Sequence, residues 1–202
     1  MPVAPGDPYG VGPITVLDRT LVNVAKSEVD AYDIALDYSR TTERAGTFTA
    51  FALGTLQTHC KTQVIPTADF LDSVGLTNAY TLKFRDNAGI TWKYRDFSFG
   101  RTVRYFDSYQ VAANRQTSGA VTVLNQGGLR VPSQSYHDLF ATWKFAPRLP
   151  FVSGIELQAG VKNVFDKRPP LDAGNTQSLS YLYGPFGDPP GAVYYASFKT
   201  AF

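Results

Sequence analysis

The residues able to do chemistry in this 202-residue chain are few and scattered. His59 and Cys60 are adjacent in an extended stretch, so their side chains point to opposite faces and are poorly placed to share a metal ion. Cys60 is the single cysteine, which leaves no disulfide within the chain and no thiolate cluster. Ser135, His137 and Asp138 have the residue types of a nucleophile, a base and an orienting acid. However, no Gly-x-Ser-x-Gly turn surrounds Ser135, and His137 continues the apolar face of a strand. Gly127-Gly128 is not followed by Gly-Lys-Ser/Thr, so it makes no phosphate cradle. Glu156 with Lys162, and Arg101 with Arg104, read as charges of a lumen or a turn. No catalytic residue, metal site or cofactor is expected.

The elements that would position these residues read as β-strands. Fourteen Phe, twelve Tyr and two Trp accompany one Met, and aromatic and β-branched side chains suit a pleated surface. A formal charge of +2 gives no basic footprint for nucleic acid. No run approaches the roughly 18 apolar residues of a membrane-spanning helix. Residues 1–13 read as a Pro- and Gly-rich loop without the basic and apolar regions of a signal peptide. A short strand is expected at 14–17, and longer ones at 21–38, 47–63, 83–94, 97–111, 137–145, 155–162 and 192–202. Alternation is clear where Tyr32, Ile34, Leu36 and Tyr38 oppose Asp33, Ala35 and Asp37, and where Ile155, Leu157, Ala159 and Val161 oppose Glu156, Gln158, Gly160 and Lys162. In 47–63 the pattern assigns no face, because Phe48, Ala50, Ala52 and Leu56 oppose Phe51 and Leu53.

The connections alternate in length. Short turns are expected at 39–46, 95–96 and 146–153, and long loops at 64–79, 112–133 and 166–191. Outer-membrane barrels have short turns at one end and long loops at the other, whereas a soluble meander has no reason to segregate them. Aromatic residues also gather near strand ends, among them Tyr38, Trp92, Tyr94, Phe97, Trp143 and Phe145, as at a bilayer interface. The same rings could fill the core of a soluble β-sandwich. A self-contained eight-stranded barrel, structural or adhesive in role, is a further alternative.

The last fifty residues carry a more specific signal. The run from Leu157 through Gly160-Val161-Lys162-Asn163-Val164-Phe165-Asp166 resembles the penultimate strand of TonB-dependent outer-membrane receptors, with Val164 where Leu is usual. Tyr183-Gly184 and Gly187-Asp188-Pro189 before the last strand, and the closing Phe202, are also similar to that family. Upstream, Asn23, Val29-Asp30 and Tyr38 match less well, with Glu28 where Gly is usual. The resemblance implies an all-β, antiparallel up-and-down barrel in the bacterial outer membrane, with residues 14–202 supplying about seven or eight strands of a larger, 22-stranded type. It implies an importer of a scarce nutrient, such as a ferric siderophore, vitamin, carbohydrate or peptide, rather than an enzyme. Its partners would be outer-membrane lipid, the barrel-insertion machinery, a small ligand, and the TonB complex acting through a plug that this chain lacks. On that reading the chain is a fragment. Tyr194, Phe198 and Phe202 would belong to the insertion signal. Tyr181, Tyr183, Phe186 and Asp188 in the last loop, with Asn125 and Arg130 in the middle one, are the candidate ligand contacts. An open half-barrel with unprotected edges is expected to aggregate when produced alone.

Overall fold

Alternating sequence produces a single antiparallel sheet in which each long strand lies beside the next. The structure, a computed structural model, describes residues 26–76, 81–112, 118–145, 153–174, 183–184, 186–187 and 190–201. The long strands are β1 (Lys26–Thr42), β2 (Gly46–Gln63), β4 (Phe84–Tyr94), β5 (Phe97–Phe106), β8 (Gln134–Phe145), β9 (Gly154–Lys162) and β10 (Val193–Ala201). Two-residue β3 (Leu71–Asp72) pairs with β2, while β6 (Tyr109–Gln110) pairs with β7 (Arg130–Val131) in a small second sheet. Among the described residues β1 pairs only with β2 and β10 only with β9. The sheet is open there, with an edge at each side. The expected strand at 14–17 and the turn at 146–152 lie outside the described residues.

Register decides the faces that pattern alone left open. Tyr32 lies opposite Leu56, Leu36 opposite Ala52 and Tyr38 opposite Ala50. Directly opposed side chains share a face, so the alanines of β2 belong with the apolar residues of β1. The same face continues through Ile90, Val103, Leu139, Ala159 and Ala196. The other face carries Thr55, Arg85, Asn87, Thr102, Arg104, Asp138 and Gln158. Phe51 is on that polar face because it fills a gap. Its ring covers Gly89 on β4, Phe140 covers Gly100 on β5, and Tyr195 covers Gly160 on β9. Rings lying over glycines keep the polar face low and pin the register.

Several expected boundaries shift. The turn expected at 39–46 shrinks to residues 43–45, because β1 runs on to Thr42. Hydroxyl pairs Ser39–Thr49 at 3.3 Å and Thr41–Thr47 at 3.0 Å let this polar stretch pair as strand, and Gly46 takes the positive φ that the turn needs. The strand expected over 97–111 stops at Phe106, where the Asp107 carboxylate accepts from the Ser108 N–H at 2.7 Å and turns the chain. Residues 112–133, read as a loop, contain helix α1 (Ser118–Gln126). Gly127-Gly128 ends it. Gly127 takes φ 73°, its N–H bonds the Leu124 carbonyl at 3.1 Å, and the Gly128 N–H bonds that of Val123 at 3.2 Å. This is a Schellman stop.

The buried apolar cluster does not lie under the sheet. It sits at the long-loop end, where Leu82, Tyr109, Val111 and Val131 are packed by Phe106, Val123 and Phe186. The wide apolar face of the sheet is uncovered, with Tyr32, Ile34, Leu36, Ile90, Trp143 and Phe198 all exposed.

Candidate functional site at the long-loop end

Three long connections converge into one cap. The first joins the second through the Gln110 N–H, which bonds the Gly75 carbonyl at 2.7 Å, and through a Leu76–Gln110 bridge. The second joins the third through three contacts. The Tyr109 hydroxyl donates to Asp172 Oδ2 at 3.0 Å, Gln126 Nε2 donates to the Leu171 carbonyl at 3.0 Å, and the Ala173 N–H donates to Gln126 Oε1 at 2.8 Å. Burial, and then the Asp172 carboxylate, push the Tyr109 hydroxyl well above the ordinary tyrosine range, so it remains a donor. Gly184 is required beside this pair, since a Cβ there would meet the Tyr109 hydroxyl.

The turn after β9 explains its own sequence. Asn163 and Asp166 adopt φ 51° and 49°, a region that Asn and Asp tolerate better than other non-glycine residues. The Asn163 side chain donates to the Lys167 carbonyl at 2.9 Å and accepts from the Lys167 N–H at 3.0 Å. The Asn163 N–H donates to Asp138 Oδ1 at 2.8 Å, and Asp166 Oδ1 accepts from the Ala192 N–H at 2.9 Å as the chain enters β10. Between them Phe165 projects edge-on against His137, with ring centroids 5.1 Å apart. The side chains of Asn163 and Asp166 are thus both used to fix the geometry between the last two strands.

The cap folds over the polar face. Phe106 lies opposite Gln134 and packs against Phe186, while Arg104 stacks over Tyr136, its guanidinium 5.5 Å from the ring centroid. Beneath the third connection is a cavity of about 400 Å³ lined by Arg104, Asp138, Lys162, Asn163, Pro190 and Gly191. Arg104 and Asp138 are 3.6 Å apart. Cations beside one carboxylate, with an amide and backbone groups, suit the binding of a polar solute. They offer no paired nucleophile and base.

The sequence-derived candidates divide. Phe186 is half-buried between Phe106 and Tyr109, and Tyr183 is half-buried and bridges Leu171. Arg130 donates to the Ser108 carbonyl at 2.8 Å and hydroxyl at 2.9 Å, tying β7 to the end of β5. Asn125 is exposed on α1. Tyr181, Asp188 and Phe202 lie outside the described residues. Tyr194 and Phe198 stand exposed on the apolar face of β10.

His137 and Asp138, successive in β8, do not meet. His137 Nδ1 lies 3.0 Å from Arg101 Nη2, while Asp138 faces Arg104. His59 bonds Asp72 of β3 at 2.7 Å, and the Cys60 N–H reaches the same carboxylate at 3.1 Å. The His59 bond holds the Asp72 carboxyl down at about 2. No metal-ligating cluster occurs among the described residues. Sequence reasoning missed Tyr109 and Asp172, although Asp172-Ala173-Gly174 is a turn signature whose carboxylate accepts from the Gly174 N–H at 2.8 Å.

The chain matches no protein-family model, and neither a curated protein nor a solved structure is significantly similar to it. The functional reading therefore rests on geometry and on the sequence resemblance of its last two strands.

Proposed function

We propose that this chain forms part of the wall of a bacterial outer-membrane β-barrel of the TonB-dependent receptor type, a nutrient importer whose capped end faces outward. The observation that carries the reading is the apolar face bounded by two aromatic rows. Near the short turns Phe48 stacks on Trp92, which also meets Tyr94 and Phe97, and Trp143 packs on Phe145. Toward the loops stand Tyr32, Phe84 and Tyr105, the last two in contact. Trp92 and Phe84 are eight residues apart in β4. At roughly 3.4 Å per residue that is about 27 Å, or about 21 Å along the bilayer normal for a strand tilted ~40°. The apolar band of such barrels is about 25 Å tall.

A wide barrel is supported over a small closed one. Gly89, Gly100, Gly160, Ser98, Thr91, Thr102 and Ser197 make the polar face low, whereas a barrel of about eight strands fills its interior with side chains. The open edges of β1 and β10 agree with a sheet continued by further strands. A β-sandwich would cover the apolar face with a second sheet, and among the described residues no sheet does so.

Surface display tests the orientation. An epitope inserted between Gly127 and Gly128 of the gene product in its native cells should bind antibody on intact cells. Binding only after the outer membrane is permeabilised would contradict the proposed orientation.

A further inference from the structure

The polar face gathers positive charge under the cap. Arg85 lies opposite Thr55 and Phe106, and Arg104 lies opposite Asn87 and Tyr136, so the two arginines are diagonal neighbours on β4 and β5. Diagonal neighbours stand about 7–8 Å apart, close enough for side chains of this length to reach one ligand group. Both line a hollow of about 160 Å³, with Asn87 and Thr55 beside them. Arg104 also borders the 400 Å³ cavity beneath the third connection, which Lys162 lines as well. One arginine thus joins the two spaces.

The carboxylates nearby do not balance these cations. Asp138 stands 3.6 Å from Arg104 and also accepts the Asn163 N–H, so a single acid is shared between donors. Asp33 accepts from Thr55 at 2.8 Å and lies two strands away from Arg85. Asp86, opposite Tyr105, alternates to the apolar face. Among the described residues no ion pair involves Arg85 or Lys162. The Tyr136 ring supports the Arg104 guanidinium, which is therefore positioned before any ligand arrives. A cleft lined by one sign of charge concentrates solutes of the other sign.

We propose that these joined cavities bind a small anion carrying at least two carboxylate or phosphate groups. One group is taken by Arg85, Arg104 and the Asn87 amide, and another by Lys162. The site rests on the reading of the chain as an importer wall and gives the imported solute its charge. Guanidinium forks match either oxyanion, whereas a neutral carbohydrate would leave the cations unanswered.

Equilibrium dialysis of the full chain in detergent micelles, against radiolabelled citrate, pyrophosphate or trehalose at fixed salt, tests the site. The proposal expects citrate or pyrophosphate to be retained and trehalose not to be, and the tighter anion tells carboxylate from phosphate chemistry. R85Q/R104Q should weaken retention by about tenfold or more. K162Q removes a cation that no described carboxylate pairs with, so the fold is kept while retention falls about tenfold. K93Q removes the same charge from the short-turn end of the same face, opposite Thr47 and Ser98, and should leave retention unchanged. Flotation of the chain with phosphatidylcholine vesicles is measured alongside. Retention of neither anion, or an equal loss in K93Q and K162Q, would overturn the site and leave the membrane reading standing if the chain floats. Failure to float would overturn the membrane reading, and with it the site's part in import.

Discussion

Tyr109 and Asp172, 63 residues apart in sequence, meet at the buried centre of the cap, where they are 1% and 0% exposed and share a hydrogen bond of 3.0 Å. This bond and the Gln126 contacts make two long connections one structural unit. Tyr109→Phe keeps the ring packing against Phe186 and removes one bond to a buried acid, a loss of about 1–3 kcal/mol. Hydrogen exchange should then quicken at the Gln110 and Val111 amides, while those of β8 and β9 stay protected. Unchanged protection at Val111 would separate the cap's order from this pair.

The same pair gives an alkaline limit. Because the Tyr109 hydroxyl is raised in the folded chain, it stays protonated where an unfolded tyrosine ionises, near pH 10. Its stabilisation is present below that pH and is lost as pH rises further. Cap protection measured against pH should fall above about 10, and Y109F should flatten the fall.

At the other side of the cap the sign reverses. Asp72 is held at about 2 in the folded chain, by the His59 hydrogen bond first, against an ordinary 3.8. Its contribution is present above the ordinary value and disappears as pH drops from there through about 2. The Ser73 N–H, which bonds the Cys60 carbonyl at 2.9 Å, should lose protection over that window. D72N should remove the window.

The turn after β9 is set by one amide. Asn163→Ala keeps the left-handed backbone while removing both bonds to Lys167, which should cost about 2–4 kcal/mol. The Asn163→Gly variant relieves the backbone and should lose less. A gel-shift melting series in detergent ranks the two, and equal melting of N163A and the parent would refute the role given to the side chain.

Polar-face glycines provide a packing test. Gly100→Val drives a branched side chain into Phe140 and should destabilise by about 1–3 kcal/mol. Thr91→Val, on the same face and nearly equal in volume to the residue it replaces, should stay within about 1 kcal/mol. Denaturant unfolding in detergent separates them.

The sheet was legible where faces alternate cleanly. Ile155, Leu157, Ala159 and Val161 announced β9, and Trp92, Tyr94 and Phe97 announced the hairpin at Arg95-Asp96. In β2 the pattern failed because Phe51 serves a glycine on the neighbouring strand, a cross-strand reason that no single strand contains. Helix α1 was hidden by its nine residues, among them Val121, Thr122 and Val123, whose β-branching favours strand. The cap was illegible for a different reason. Tyr109, Asp172 and Gly184 act together only after two connections fold back, and none has a spacing that announces the others. The Asn163 turn could be recognised, although its physical cause emerged only from its hydrogen bonds to Asp138, Lys167 and Ala192.

Lipid contact of one face of β4 is the central claim, and spin labelling tests it most directly. Single cysteines replacing Asn87, Ala88, Ile90 and Thr91 in a Cys60→Ser chain are labelled with a nitroxide in lipid vesicles. Collision with oxygen, which concentrates in the bilayer, is compared with collision with a water-soluble nickel complex. The account predicts that positions 88 and 90 favour oxygen and positions 87 and 91 favour nickel. Equal access at all four, or nickel access at 88 and 90, would contradict it.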